Sequence, residues 1–154
     1  MKYENLLEEA DINNLFVIEN ANFKSQAEGL INGNVIGINR KMSSSRKRAC
    51  VLAEELGHFY TSTGDILNQA EVQNRKQELH ARSWAYNRLI GLRGIIDCYK
   101  AGYKTLYEMA EHLEVTEEFL AEALSDYRKK YGLCKKIDNY VIYFEPILSV
   151  FELI

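Results

Sequence analysis

Residues 50–61 read Cys-Val-Leu-Ala-Glu-Glu-Leu-Gly-His-Phe-Tyr-Thr, CVLAEELGHFYT, and the spacing of their apolar side chains sets how the rest of the chain is read. Ala49, Leu52, Ala53, Leu56 and Phe59 or Tyr60 recur three and four apart, the rhythm of a helix with one face turned to a core. Ser43, Ser44 and Ser45 stand just upstream as candidate N-caps, and Gly64 is the expected stop. On such a helix, residues four apart lie roughly 40° apart around the axis. Glu54 and His58 therefore project from one side on successive turns, with Glu55 next to the first of them.

Upstream of this helix, Leu6, Leu7 and Ala10 within Tyr3–Ala10 mark a short amphipathic helix, and Leu15–Phe23 (LFVIENANF) is rich in strand formers. Gly29–Met42 (GLINGNVIGINRKM) places Asn-Gly between two apolar runs, a hairpin signal. Together these predict a small N-terminal antiparallel sheet. Downstream, a second helix is expected from Glu71 to Leu92, with Leu79, Trp84, Ala85 and Leu89 among its apolar positions. Further helices follow, broken at Ala101-Gly102, at Val115-Thr116 with Thr116 as cap, and at Gly132. The tail NYVIYFEPILSVFELI is strand-like and is interrupted by Pro146, the single proline. With no repeat and no low-complexity linker, the chain reads as one α+β domain over residues 1–154. A small N-terminal sheet packs on a helix pair, and the helical C-terminal half carries a helix-turn-helix-like pair.

A length of 154 residues suits one compact domain, and 47% hydrophobic residues are enough to build a core. The net charge of −3 gives no global electrostatic reason to seek nucleic acid. No apolar run nears the ~20 residues that cross a bilayer, and the acidic start MKYENLLEEAD is no signal peptide, so a cytoplasmic protein without membrane attachment is expected. Cys50, Cys98 and Cys134 show no C-x-x-C pairing and read as small, partly buried hydrophobes.

Histidines four apart in H-E-x-x-H grip one zinc ion from a helix face, with the glutamate between them as general base. Here Glu54 stands in the place of the first histidine, and carboxylates are also zinc ligands. A further ligand has to come from elsewhere in the chain. QELHARSWAY offers Glu78, with Ala81 and Ala85 giving a small-residue face that would let its helix approach the first; His80 points to another side. Glu54, Glu55 and His58 would equally make an ordinary solvated helix face, so the motif alone does not decide.

The chain resembles the ImmA/IrrE-type metallo-endopeptidases of bacteria, phages and mobile elements. The resemblance is carried by ACVLAEELGHFYTSTGDI, similar to that family's active-site helix, and by RKQELHARSWAYNRLI, similar to its E-x-x-A-x-x-F-A helix; YKTLYEMAEHLEVTEEFLAEAL and DNYVIYFEP match less specifically. It implies Glu54, His58 and Glu78 as ligands of a zinc ion in a gluzincin-like set, and Glu55 as the catalytic base. Glu54 departs from the family's histidine. The resemblance also implies a role: cleaving or otherwise inactivating a helix-turn-helix repressor of a phage or mobile element. The alternative is a catalytically impaired regulatory protein of the same fold, which binds the repressor without cutting it.

A third reading rests on LYEMAEHLEVTEEFLAEALSDYR, where Ala110, Leu113, Val115 and Leu120 or Leu124 have the spacing of two crossed helices. Glu117, Glu118 and Glu122 open the would-be recognition helix and would be repelled by phosphate, which argues against direct nucleic-acid binding. His112 reads as a half-exposed helix histidine, and Arg128-Lys129-Lys130 as a charge cluster at a helix C-terminus. Arg46, Lys47 and Arg48 form either a solvated first turn or an anchor for an acidic substrate segment. Tyr60 is a rim residue or an oxyanion donor, and Asp65 either orients the His58 ring or caps a helix.

Overall fold

The computed structural model describes residues 1–62 and 71–154, and for 71–74 the backbone only. The described chain is α+β, with six helices and two three-stranded sheets, and it groups into two compact units, residues 1–88 and 89–154.

The first unit runs α1 (Lys2–Ile12), β1 (Phe16–Ala21), β2 (Gly29–Asn32), β3 (Val35–Asn39), α2 (Ser45–Thr61) and α3 (Glu71–Leu89, its last residue beyond the unit). A hairpin forms where the Asn-Gly signal stands, but one residue on from it: Gly33-Asn34 make the turn and Asn32 stays in the strand. Strands β2 and β3 pair antiparallel with Asn32 opposite Val35, and Gly33 takes the positive φ of 62° that this two-residue turn demands. Strand β1 then joins the other side of β3 in parallel, Phe16 opposite Val35, so the small sheet is mixed and ordered β1-β3-β2. Nothing local in LFVIENANF sets that direction, because it is decided by pairing with β3, which lies further along the chain. Central position suits the near-continuous apolar run of β3, whose Ile36 and Ile38 are fully buried.

Packed on this sheet, α2 buries Ala49, Leu52, Ala53 and Leu56. It begins at Ser44, whose hydroxyl accepts from the Lys47 amide. Helix α1 buries Tyr3, Leu6 and Ala10, while Leu7 is only half-buried. Phe59 and Tyr60, expected at core positions, are 37% and 39% exposed, since they fall where α2 runs past the core. Leu79 of α3 is also exposed; its neighbours Ala81 and Ala85, both fully buried, mark the packed face. Gly64, the expected stop of α2, lies outside the described residues.

The second unit contains α4 (Gly91–Lys100), α5 (Leu106–Leu113), α6 (Glu117–Tyr131), and the antiparallel strands β4 (Cys134–Ile137), β5 (Tyr140–Tyr143) and β6 (Ser149–Glu152) in the order β4-β5-β6. Thr105 caps α5 by accepting from the Glu108 amide, and its hydroxyl also meets the Glu108 carboxylate. Thr116 caps α6 by accepting from the Phe119 amide. Fully buried Val115, Leu120, Tyr127 and Ile142 form the core. The C-terminal half thus adds a sheet to its helices. Its β5 and β6 flank Pro146 in the strand-like tail, whereas β4 (CKKI) carries two lysines and no apolar alternation to announce it. Cys50 and Cys98 are buried as expected; Cys134 is exposed, because β4 turns it to solvent. No described helix is long and apolar enough to cross a membrane.

Candidate metal centre

Two glycines bring the site together. A Cβ on Gly57 of α2 would lie 2.3 Å from the backbone oxygen of Ala81 in α3, so α2 and α3 touch backbone to backbone at this point. That contact sits one residue before His58 and three after Glu78. It places the His58 Nε2 3.2 Å from the Glu78 Oε1. On the other flank, a Cβ on Gly29 of β2 would lie 2.6 Å from the Val51 side chain and 3.2 Å from that of Glu55. The edge strand therefore lies directly against the acidic stretch of α2.

Glu54, His58 and Glu78 each offer one donor atom, and the three atoms lie within 4.8 Å of one another. They line a pocket of about 210 Å³ together with Glu28, Gly29, Val51 and Glu55. The donor chemistry fits a divalent ion: glutamate and histidine are both zinc ligands, and this set has one more carboxylate than a His₂Glu centre. Glu55 is 8% exposed, and its carboxyl is pushed up to about 8 by burial first, then by the charges of Glu54 and Glu78. Several acids crowded into one pocket with a single imidazole create a demand for positive charge.

One source of positive charge is already present. The Arg82 Nε lies 3.4 Å from the Glu54 Oε1, one helical turn beyond Glu78 on α3. Partial burial pulls the Arg82 guanidinium down, but the charge and hydrogen bond of Glu54, with Glu78 behind it, more than offset that and raise it. Arg82, Gly57, Gly29 and Glu28 all escaped the sequence reading. For Arg82 a signal existed, its place four residues after Glu78 on a helix facing α2. For Gly57 the signal was a glycine retained in mid-helix at a cost in helix propensity.

The remaining candidates fall elsewhere. His80 is exposed and outside the cluster. Tyr60 does not line the pocket: its hydroxyl accepts from the Asn13 side chain and its ring packs on Trp84 at 4.9 Å. His112 is exposed, with its ring 5.0 Å from that of Tyr103. Lys47 pairs with Glu28 at 3.0 Å, and Arg48 donates to the Met42 carbonyl and the Asn20 side chain, so these two basic residues help fix the start of α2. Asp65 lies outside the described residues.

A family model, the IrrE N-terminal-like domain of the M78 peptidases, matches residues 14–125. The chain belongs to the ImmA/IrrE family. The matched region takes in β1–β3, α2 and α3, hence every residue of the pocket. M78 members are zinc metallopeptidases, and membership carries a metallopeptidase-type function. No curated protein and no solved structure matches the chain.

Proposed function

We propose that the protein is a zinc-dependent endopeptidase whose substrate is a helix-turn-helix repressor of a phage or mobile element. The observation that carries the chemical part is the convergence of Glu54, His58 and Glu78 beside a buried Glu55; the choice of substrate rests on the family likeness. In this reading those three residues hold the ion. A bound zinc ion supplies Lewis acidity, polarising the scissile carbonyl and making water acidic enough to attack near neutral pH. Glu55 accepts the proton released by the attacking water and returns it to the leaving amine. The charge on Glu55 is held near neutrality in the crowded pocket and favoured once a cation balances it, so its basicity is coupled to occupancy.

The test uses protein purified without chelators and supplied with zinc. About one equivalent of zinc is expected in the wild type, and a drop of at least ten-fold in affinity in His58→Ala and Glu54→Gln. Incubated with a candidate helix-turn-helix repressor, the wild type should yield two fragments, and Glu55→Gln should bind the repressor yet leave it whole. If zinc is bound and the repressor is captured intact by the wild type, the protein sequesters rather than cuts. If no zinc is taken up, the peptidase reading fails.

A further inference from the structure

Resting on the proposed metal centre, we infer that Arg82 is a built-in counter-charge that makes a two-carboxylate ligand set workable. Glu54 and Glu78 with a neutral His58 bring a formal charge of −2 to the ion, where a His₂Glu set brings −1. Arg82, with its Nε 3.4 Å from the Glu54 Oε1, returns the group to −1. A carboxylate has two oxygens, so pairing with Arg82 and bonding to a cation are compatible, and hydrogen-bonded ligand carboxylates are the usual pattern around metal ions.

The placement is suited to that work. Glu78 and Arg82 are four apart on α3, so one helix face supplies both a ligand and the neutraliser of the other carboxylate ligand. Lys47 also reaches the pocket lining, where it is paired with Glu28. Arg82 is therefore a positioning residue. It fixes the Glu54 carboxylate, and it keeps the donors from cancelling the ion's charge so completely that the ion loses its pull on water and carbonyl. Half of the Arg82 side chain is exposed, so solvent and salt screen the effect without abolishing it.

This makes affinity and turnover move in opposite directions, which a merely structural ion pair would not do. The experiment measures zinc affinity by competition with a chromogenic chelator for wild type, Arg82→Ala and Arg82→Lys, at low salt and at 1 M salt, alongside cleavage of the repressor. Arg82→Ala is expected to bind zinc roughly three- to ten-fold tighter at low salt, with the gap closing at high salt, and to cleave more slowly. Arg82→Lys, which keeps the charge, should stay within about three-fold of wild type. An unchanged or weaker zinc affinity in Arg82→Ala overturns the inference, as does a tightening that salt leaves untouched. Absence of zinc binding in the wild type itself brings down the metal-centre reading and this one with it, and so is told apart from a failure of Arg82 alone. Melting temperatures of the zinc-free variants show whether Arg82→Ala still folds, and Arg82→Lys carries the comparison if it does not.

Discussion

Helices α2 and α6 are built from the same kinds of residue and come to opposite electrostatic ends. Both start at a hydroxyl cap, Ser44 and Thr116, and both carry a pair of adjacent glutamates. In α6 the acids Glu117 and Glu118 occupy the first turn and Arg128, Lys129 and Lys130 the last, each sign at the helix end that favours it, and all of them exposed. In α2 the first turn holds no acid, while Glu54 and Glu55 lie mid-helix, one half-buried and the other buried, against Glu78 of α3. Helix α6 is satisfied as it stands. The acids of α2 crowd one another, so that burial and the neighbouring charges raise the Glu55 carboxyl, and such local conflicts are enriched at functional sites.

The sharpest way to break this contrast is at a glycine of α2, set against one of α4 in the second unit. Gly57→Ala puts a methyl group 2.3 Å from a backbone oxygen of α3, and neither backbone can step aside without parting the helices. We expect a loss of about 2–4 kcal/mol in spite of alanine's better helix propensity, together with loss of zinc uptake as His58 and Glu78 separate. Gly94→Ala in α4 meets the end of the Leu113 side chain at 3.2 Å, which can rotate, and should change stability by less than about 1 kcal/mol. Denaturant melts of both variants, read with zinc titrations, check the pair. Equal effects would mean that close approach of α2 and α3 is not what assembles the site.

Next in size is the response of the zinc-free protein to pH. Glu55 has its folded value raised to about 8 from an ordinary 4.5, so the folded chain holds a proton that the unfolded chain gives up. Its contribution to stability is fully present below about pH 4.5 and is lost as pH rises through about 8. In chelator-treated protein, wild type should therefore lose about 1–3 kcal/mol more than Glu55→Gln between pH 6 and pH 9. Parallel pH profiles for the two proteins would show that Glu55 is better solvated than its burial implies.

How much of this was legible follows from how local each signal is. The hairpin at Gly33, the caps Ser44 and Thr116, and the stops near Gly102 and Gly132 each depend on a few adjacent residues, and all are where the sequence puts them. Glu54 and His58 are also a local pair, and Glu78 could be reached through the small residues Ala81 and Ala85 behind it. The parallel pairing of β1 with β3 was not legible, being a non-local choice, and neither was β4, whose lysines hide a strand held by its partner Tyr140–Tyr143. Arg82 and Gly29 were missed because their meaning lies across an interface, against Glu54 and Glu55, and neither stands near its partner in the chain.

The smallest expected effect sharpens the comparison from the satisfied side. Thr116→Ala removes the hydroxyl that accepts from the Phe119 amide and leaves a helix-end donor to water, at a cost of about 1 kcal/mol. Because Glu117 and Glu118 still face the positive end of α6, part of the helix-end preference survives, and the loss should stay near that value. The change touches no residue of the pocket, so zinc affinity in Thr116→Ala should equal that of wild type within error. A measurable shift in zinc affinity would mean that α6 and the Glu54–His58–Glu78 pocket are energetically coupled, and the two helices would then no longer be independent cases of charge placement.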